Sequence, residues 1–552
     1  MIPEKGATRK IWLHQLRIAL VYPNSYSVGM SNLGFQHVYH TLNSSENFLA
    51  ERFFYEPTVF QGSKSFPQLL SIESSRPLRD FHVIAFSLPF ENDYLNISII
   101  LKSGSIEPLS RNRSSRDPLI MAGGVSVSMN PEPLANFMDL VYIGEISDAD
   151  APDSLFQTLA NVVDKFRWNV ERDSLKYALK ECPGVYIPEI YDFKTDENGI
   201  IRSIEVNEGF PETVAAVKTD WRFSDIPKSV IFSPETEFSN TCLVEINRGC
   251  SRRCRFCAAG WIHSPVRYRS SDDVRRVITN AMDSGFRLGL VGSDLAGHPE
   301  LEKIIEMILD NRGEFSLSSI RPEGLSPFMI EALFQTGQKT ATLAPETASR
   351  RLKGVIGKKI PSETFFRNIE RLVDVGIPNV RLYFMIGLPT ESDDDVRDIV
   401  EFVLDCRKFF VEASRKKKRI GTLSVQVNPF IPKPWTPFQW ASTSDRKSLE
   451  RRIDILRKGL KNTSNLSLRI EYGREFFIQA LLSRCGRDLG ELLLNGVFGK
   501  KWSLSGLQKA GVNLDNHLYR ERDETEIFPW DTVDHGISRS ILWKVYEESV
   551  KS

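Results

Sequence analysis

The N-terminal part of the chain alternates apolar runs with helical patterns. Apolar runs at residues 16–23, 82–89, 118–124 and 140–145 predict strands, and helices are predicted at about 31–42 and after Asn92. Strand, glycine-containing loop and helix in succession are typical of an α/β fold with a doubly wound parallel sheet. Ligands bind such sheets at the carboxyl ends of the strands. The loops at those ends, 23–29, 87–92 and 123–126, are rich in small or polar residues.

A second alternating region begins at Cys242. Its apolar runs predict six strands, at 242–249, 287–294, 315–323, 340–346, 380–389 and 423–430. Helical patterns lie between them, at about 271–284, 299–311, 326–336, 362–375 and 392–410. Six strand-and-helix units favour a partial or complete barrel over another short open sheet.

These changes of pattern predict four segments. Residues 1–165 form the first sheet domain, and 166–235 form a connecting segment with a hairpin through residues 196–199. Residues 236–470 form the barrel. Residues 471–552, with a helical stretch at 474–495, form a small C-terminal accessory domain.

Composition excludes several classes of protein. The 552 residues include 71 Lys and Arg against 71 Asp and Glu, so the formal net charge is zero. That balance provides no overall attraction to nucleic acid or anionic lipid, and no apolar run reaches the roughly 20 residues that span a bilayer. We therefore expect a cytoplasmic protein with no membrane partner. A nucleic-acid partner is not favoured, since the basic run at 415–419 is interpreted as a solvated helix end.

Three of the seven cysteines form a compact motif, Cys-Ser-Arg-Arg-Cys-Arg-Phe-Cys, at positions 250–257. Three thiolates can bind one face of a cubane iron-sulfur cluster and leave one iron open to a small molecule. The arginines at positions 248, 252, 253 and 255 would offset the negative charge. A structural zinc site of three cysteines with His263 is the alternative.

This spacing, with Phe256 before the last cysteine and a barrel strand before the loop, resembles the radical S-adenosylmethionine superfamily. The resemblance implies a partial (β/α)6 TIM-like barrel and a [4Fe-4S] cluster held by Cys250, Cys254 and Cys257. It implies that S-adenosylmethionine binds the fourth iron and is cleaved reductively to a 5'-deoxyadenosyl radical. A reductant such as flavodoxin or ferredoxin would supply the electron.

The same resemblance implies a pocket for S-adenosylmethionine at the ends of successive strands. Its residues would be Phe256, Gly292, Ser293, Asp294, Ser319, Arg321, Glu346 and Gly387. Gly-Ser-Asp at 292–294 departs from the common Gly-Gly-Glu of this family, whose acidic residue contacts the methionine amino group. No residue in the sequence is identified as catalytic.

Further segments resemble the branch of the superfamily that carries an N-terminal cobalamin-binding domain. They lie at 344–347, 387–391, 432–440, 482–487 and 528–531. The first domain would then be a Rossmann-like sheet of the cobalamin-binding type, and methyl transfer to an unknown substrate would be the natural reaction. The histidine motif Asp-x-His-x-x-Gly of some cobalamin domains is missing from the sequence, and the near match at 80–85 is interpreted as coincidence.

Three alternatives stay open at this point. In the first, the N-terminal domain either binds cobalamin or keeps only the fold of a cobalamin domain. In the second, the chain is a cobalamin-independent radical enzyme that modifies RNA or protein, although methylthiolation normally requires a second cysteine cluster. In the third, the chain is a non-catalytic protein that binds a metal or a corrinoid.

Overall fold

The computed structural model describes residues 3–57, 67–146, 148–165, 172–222, 224–318, 320–494 and 502–551. They form two compact units. The first comprises Met1–Thr241, Leu481–His517 and Thr525–Gly536. The second comprises Cys242–Ala480, Leu518–Glu524 and Ile537–Ser552.

The first unit is built on a six-stranded sheet in the order β2-β1-β3-β4-β5-β6. The strands are β1 (Leu16–Tyr22), β2 (Phe48–Phe54), β3 (Val83–Ser87), β4 (Leu119–Gly123), β5 (Leu140–Tyr142) and β6 (Val185–Tyr186). The first five pair in parallel, and β6 pairs antiparallel with β5. The predicted doubly wound sheet is confirmed. Its strand order reverses between β1 and β3, which is where such sheets bind ligands.

Helices connect the parallel strands of this sheet. They are α1 (Tyr26–Met30), α2 (Leu33–Ser44), α3 (Tyr94–Ser103) and α4 (Val125–Met129), followed by α5 (Leu155–Lys165) and α6 (Arg172–Leu179). The predicted hairpin is present as β7 (Tyr191–Thr195) and β8 (Ile201–Val206), which pair antiparallel. A short strand β9 (Val214–Ala215) completes this part of the unit.

Strand β2 was not predicted, because Glu51 and Arg52 interrupt its apolar run. Both are nevertheless buried. The Arg52 guanidinium pairs with Glu73 at 2.6 Å and with Glu4 at 2.7 Å, so its charge is compensated inside the unit. These distant carboxylates make Arg52 compatible with a buried strand, and Glu51 accepts hydrogen bonds from the indole of Trp12 and the hydroxyl of Ser74.

The second unit contains two sheets. One has the order β11-β10-β12-β13, with β10 (Thr241–Arg248), β11 (Arg267–Tyr268), β12 (Arg287–Gly292) and β13 (Phe315–Leu317). The other consists of parallel strands β14 (Thr340–Glu346), β15 (Asn379–Ile386), β16 (Leu423–Pro429) and β17 (Leu466–Ile470). All six predicted strands are present, and β11 and β17 are additions.

Helices alternate with these strands. They are α7 (Ala259–Ile262), α8 (Ser271–Asp283), α9 (Leu301–Asp310), α10 (Pro327–Gln335), α11 (Arg350–Val355), α12 (Ser362–Val375), α13 (Asp393–Lys416) and α14 (Arg446–Leu460). Helices α8 and α13 begin at capping boxes, formed by Ser270 with Asp273 and by Ser392 with Asp395. The prediction missed α14, which is highly charged, although its buried positions Leu449, Ile453, Leu456 and Leu460 follow helical spacing.

The last part of the chain contains α15 (Arg474–Arg484), α16 (Gly490–Leu494), α17 (Leu504–Lys509), β18 (Val533–Asp534) and α18 (Arg539–Val550). These elements do not form a third compact unit among the described residues. Trp502 and Trp530 are buried in the first unit, whereas Trp543 contacts Trp440 in the second, with ring centroids 5.2 Å apart. The residues of the predicted accessory domain thus belong partly to the first unit and partly to the second. The predicted domain boundaries stay a prediction. No helix in the described ranges is long and apolar enough to cross a bilayer.

Candidate functional site

The three cysteines of the motif lie in the loop that leaves β10, and all three are half-buried. Gly249 begins this loop with φ of +83°. A Cβ atom at that position would lie 2.6 Å from the carbonyl oxygen of His263. Glycine is therefore required for the chain to turn from the strand into what we call the cluster loop, residues 249–257.

Arg255 attaches the cluster loop to the end of helix α11. Its Nη1 donates to the carbonyl oxygens of Gly354 at 2.9 Å and Val355 at 3.0 Å. Its backbone N–H donates to the carbonyl of Ile356 at 3.0 Å. These carbonyls lie at the helix terminus, where backbone acceptors lack partners within the helix. The indole N–H of Trp261 donates to the carbonyl of Cys254 at 3.1 Å and fixes the middle of the loop.

Burial is the main cause of the raised pKa of each cysteine thiol. Two cations from other loops oppose that effect: Lys358 and Arg321 both lower the pKa of Cys254, and Arg321 also lowers that of Cys250. Two of the four arginines that were predicted to supply positive charge have other contacts: Arg248 pairs with Glu245 at 2.6 Å, and Arg255 caps α11. The part that Arg252 and Arg253 play stays a prediction.

Asp294 follows β12 and is buried. Its Oδ2 accepts hydrogen bonds from the hydroxyl of Ser251 at 2.9 Å and from the backbone N–H of Ser251 at 3.3 Å. The predicted pocket residue is therefore attached to the cluster loop itself. Gly292 precedes it at the strand end, and Ser293 is exposed.

Arg321 and Glu346 approach the cysteines from the next two strand ends. The Arg321 pKa is raised although its burial opposes this, because Glu323 and the thiols of Cys254 and Cys250 stabilise the charged form. Glu346 has φ of +65°, which is uncommon for a residue with a side chain. Its Oε1 accepts a hydrogen bond from Nζ of Lys358 at 2.9 Å. Sequence reasoning missed Lys358, whose importance depends on this contact.

The remaining predicted residues have other environments. Phe256 is half-buried in the cluster loop, and Ser319 lies outside the described residues. Gly387, after β15, lines a cavity of about 460 Å³ together with Glu391, Thr443 and Arg452. Burial raises the pKa of Glu391 to about 7, although Arg452 opposes the shift. None of the cysteines lines this cavity.

The residues that meet at the cluster loop suit an iron-sulfur cluster. The three thiols belong to one short loop and are half-buried, and each can bind a different iron of a cubane. Arg321 and Lys358 provide positive charge for such an anionic group.

The carboxyl edge of the first unit's sheet is a second candidate site, of a different kind. Val28, Phe90 and Val125 follow β1, β3 and β4 and are 46%, 43% and 36% exposed. Because these strands are neighbours in the sheet, their carboxyl ends share one edge. We call these three side chains the apolar rim.

His82 does not belong to this edge. It precedes β3 and therefore lies at the amino end of the strand. Its Nδ1 accepts from the backbone N–H of Arg17 at 2.9 Å, and its Nε2 lies 3.1 Å from Nε of Arg17. Burial and the Arg17 charge lower its pKa to about 3. The near match at 80–85 is thus a buried structural histidine, as interpreted from the sequence.

Two family models match the chain, and both describe radical S-adenosylmethionine proteins. The model of the N-terminal region of these proteins matches residues 34–188. The model of the radical S-adenosylmethionine superfamily matches residues 244–403. The second range includes the cluster loop and the ends of β12 to β15.

Among similar sequences is the uncharacterized protein MJ0966 of Methanocaldococcus jannaschii, 26% identical over 511 residues, which are 92% of this chain and 97% of that protein. The ribosomal protein uS12 methylthiotransferase RimO of Thermodesulfovibrio yellowstonii is 22% identical over 203 residues, which are 34% of this chain and 47% of RimO.

Among solved structures, the radical S-adenosylmethionine methyltransferase TsrM of Kitasatospora setae superposes with a TM-score of 0.50 and 12% identity, over 90% of this chain and all of TsrM. At this identity the likeness concerns the fold. The two family models, together with the cysteine loop that the second one spans, identify the chain as a radical S-adenosylmethionine enzyme whose cofactors are a [4Fe-4S] cluster and S-adenosylmethionine.

Proposed function

We propose that the chain is a cobalamin-dependent methyltransferase that uses S-adenosylmethionine at the cluster loop. The observation that carries the proposal is the apolar rim at the carboxyl edge of the first sheet. Exposed large apolar side chains at the ligand-binding edge of a doubly wound sheet indicate a ligand with an apolar face. A corrin ring is a ligand of that kind.

The position of the rim supports this assignment. The strand order reverses between β1 and β3, and Val28 and Phe90 follow these two strands. Val125 extends the rim to β4. The rim would bind the corrin by apolar contact and exclude water from the side chains that it covers. His82 lies at the other end of β3, so the proposal assigns it no bond to cobalt.

Each cofactor contributes a defined kind of chemistry when bound. A reduced [4Fe-4S] cluster supplies one electron to the sulfonium of S-adenosylmethionine, and cobalamin carries a methyl group. The chain's own residues hold and orient these groups. Cys250, Cys254 and Cys257 would bind three irons, while Arg321 and Lys358 compensate the negative charge.

The pocket residues would hold S-adenosylmethionine next to the cluster. Asp294, Arg321 and Glu346 are close to the thiols, as their electrostatic effects on the cysteines indicate. Asp294 would accept a hydrogen bond from the ligand's ammonium group, and Arg321 would donate to its carboxylate. The family resemblance alone supports five further pocket residues, which are Phe256, Gly292, Ser293, Ser319 and Gly387.

The similarity to RimO raises methylthiolation as a second candidate. That chemistry normally requires a second cysteine cluster. The other cysteines, Cys182, Cys242, Cys406 and Cys485, are far from one another in the sequence and form no second compact cysteine motif. Methyl transfer is therefore preferred. A flavodoxin-like or ferredoxin-like reductant and a cytoplasmic location are part of the same proposal.

The proposal is tested without knowing the substrate. Protein purified anaerobically and reconstituted with iron, sulfide and hydroxocobalamin is reduced and supplied with S-adenosylmethionine labelled in its methyl group. We expect about one corrinoid per chain after desalting and label in that corrinoid. Protein that loads the iron-sulfur cluster but retains no corrinoid would contradict the methyltransferase proposal and leave the radical chemistry intact.

A further inference from the structure

Asn247 links the two strand ends that flank the cluster loop. It is fully buried in β10, two residues before Gly249. Its Nδ2 donates to the carbonyl of Gly249 at 3.0 Å, where the loop begins. Its Oδ1 accepts from the backbone N–H of Asp294 at 2.6 Å, just past the end of β12. One side chain thus connects the start of the cluster loop to the Asp294 backbone.

The close approach of β12 depends on Gly292. A Cβ atom at position 292 would lie 2.5 Å from Oδ1 of Asn247. No side chain fits there without moving the buried amide. The glycine of the Gly-Ser-Asp segment therefore has a packing role toward Asn247.

Ser251 completes the connection from within the cluster loop. Its hydroxyl and its backbone N–H both donate to Oδ2 of Asp294. The other carboxylate oxygen, Oδ1, is buried and has no hydrogen-bond partner. A buried carboxylate oxygen without a partner is costly, so Oδ1 can accept a hydrogen bond from a ligand at this site.

We infer that Asn247 and Ser251 are positioning residues that fix the Asp294 carboxylate against the cluster loop, with Oδ1 left to accept a hydrogen bond from the ammonium group of S-adenosylmethionine. The inference rests on the proposed role of Asp294 in the pocket. It makes binding of S-adenosylmethionine depend on the cluster loop through hydrogen bonds that involve neither iron nor thiol. The position of the Asp294 carboxylate then depends on Asn247 and Ser251 as well as on Asp294 itself.

The test compares Ser251→Ala with Ser251→Thr in the full chain with its cluster reconstituted. Ser251 is exposed, so the added methyl group of threonine has space, and threonine keeps the hydroxyl donor. Iron per chain is measured first, and the electron paramagnetic resonance spectrum of the reduced cluster is then titrated with S-adenosylmethionine. We expect Ser251→Ala to load iron like the wild type but to need about tenfold more S-adenosylmethionine for the half-maximal spectral change. Ser251→Thr should titrate like the wild type.

A second variant, Asn247→Ala, examines the other end of the connection. We expect a weaker spectral response than in the wild type, because the Asp294 backbone N–H loses its acceptor and the Gly249 carbonyl loses its donor. Removal of a buried amide can lower iron loading as well. The comparison of Ser251→Ala with Ser251→Thr is therefore the decisive test of the positioning role.

Two results would overturn the inference. In one, Ser251→Ala titrates like the wild type. In the other, its response falls only in proportion to lost iron, which is what a purely structural role predicts. A wild-type protein that holds iron but shows no spectral response would instead contradict the proposed S-adenosylmethionine site, and the inference with it.

Discussion

The cluster loop of the second unit and the carboxyl edge of the first sheet differ in the side chains that they offer to a ligand. The loop presents three thiols and is fixed by Arg255, Trp261 and Asn247. The edge presents exposed apolar side chains, and the histidine of the near match at 80–85 lies at the opposite end of β3.

The difference explains why one site is visible in the sequence and the other is not. An iron-sulfur cluster requires cysteine ligands at restricted spacing, so its site can be recognised as a sequence motif. A ligand held by shape and apolar contact can be bound by many residue types, so no short motif records it. The predictions below test whether the two sites differ in this way.

The largest effect is expected from removing a thiol. Cys254→Ala should abolish the loading of about four irons per chain, because three thiolates are needed to hold the cubane. Iron and sulfide analysis after anaerobic reconstitution measures the result. Cys406→Ala, which removes a buried cysteine of helix α13, should keep its iron. Equal loading in both variants would show that the cluster loop is not the iron site.

The turn into the cluster loop should be nearly as sensitive. Gly249→Ala forces a side chain into a left-handed conformation and against the carbonyl of His263, at 2.6 Å. Gly285→Ala is the matched control, since Gly285 has φ of +78° but no atom within 4 Å. We expect the control to lose about 1–2 kcal/mol of stability, and Gly249→Ala to lose more together with most of its iron. Similar iron contents would mean that the loop tolerates a different turn.

At the apolar rim we expect a moderate effect. Phe90→Ser should weaken corrinoid binding about tenfold without changing iron content, because it removes apolar contact and no ligand atom. Phe334→Ser in α10 is the control, since Phe334 is also 43% exposed. Equilibrium dialysis with hydroxocobalamin measures both. If the two variants bind corrinoid equally well, the rim is not the corrinoid site and the comparison between the two regions fails.

The smallest effect concerns His82 and pH. Its pKa falls from 6.5 to about 3 on folding, because burial and Arg17 disfavour the charged form. The stability that neutral His82 provides is therefore present above pH 6.5 and is lost as pH falls toward 3. His82→Asn, whose Oδ1 can still accept from the Arg17 backbone, should lose less stability between pH 7 and 5 than the wild type. Thermal unfolding at several pH values measures this, with corrinoid binding expected to be unchanged.

Most of the fold could be predicted from periodicity. The buried pattern of β14 and β16 alternates, as half-buried strands should. Strand β2 could not be predicted, since its Arg52 is acceptable in the interior only because of Glu4 and Glu73, which are distant in sequence. Helix α14 could have been found from the spacing of its apolar residues.

The site was predictable only where chemistry restricts residue type. The cysteines stand out in the sequence. Lys358 and Asn247 do not, because their roles come from contacts with Glu346 and Asp294 that only the folded chain creates. Of the four arginines that were predicted to supply positive charge, Arg248 and Arg255 have other contacts, whereas Arg321 and Lys358 lower the pKa of the Cys254 thiol.

The central claim is that the cluster loop is the site of reductive S-adenosylmethionine cleavage. The most direct measurement is the amount of 5'-deoxyadenosine formed from S-adenosylmethionine by reconstituted, dithionite-reduced protein, compared with Cys254→Ala prepared in the same way. We predict formation of 5'-deoxyadenosine by the wild type and none above background by the variant. Iron-loaded wild-type protein that forms no 5'-deoxyadenosine, or a variant that forms as much as the wild type, would contradict the account.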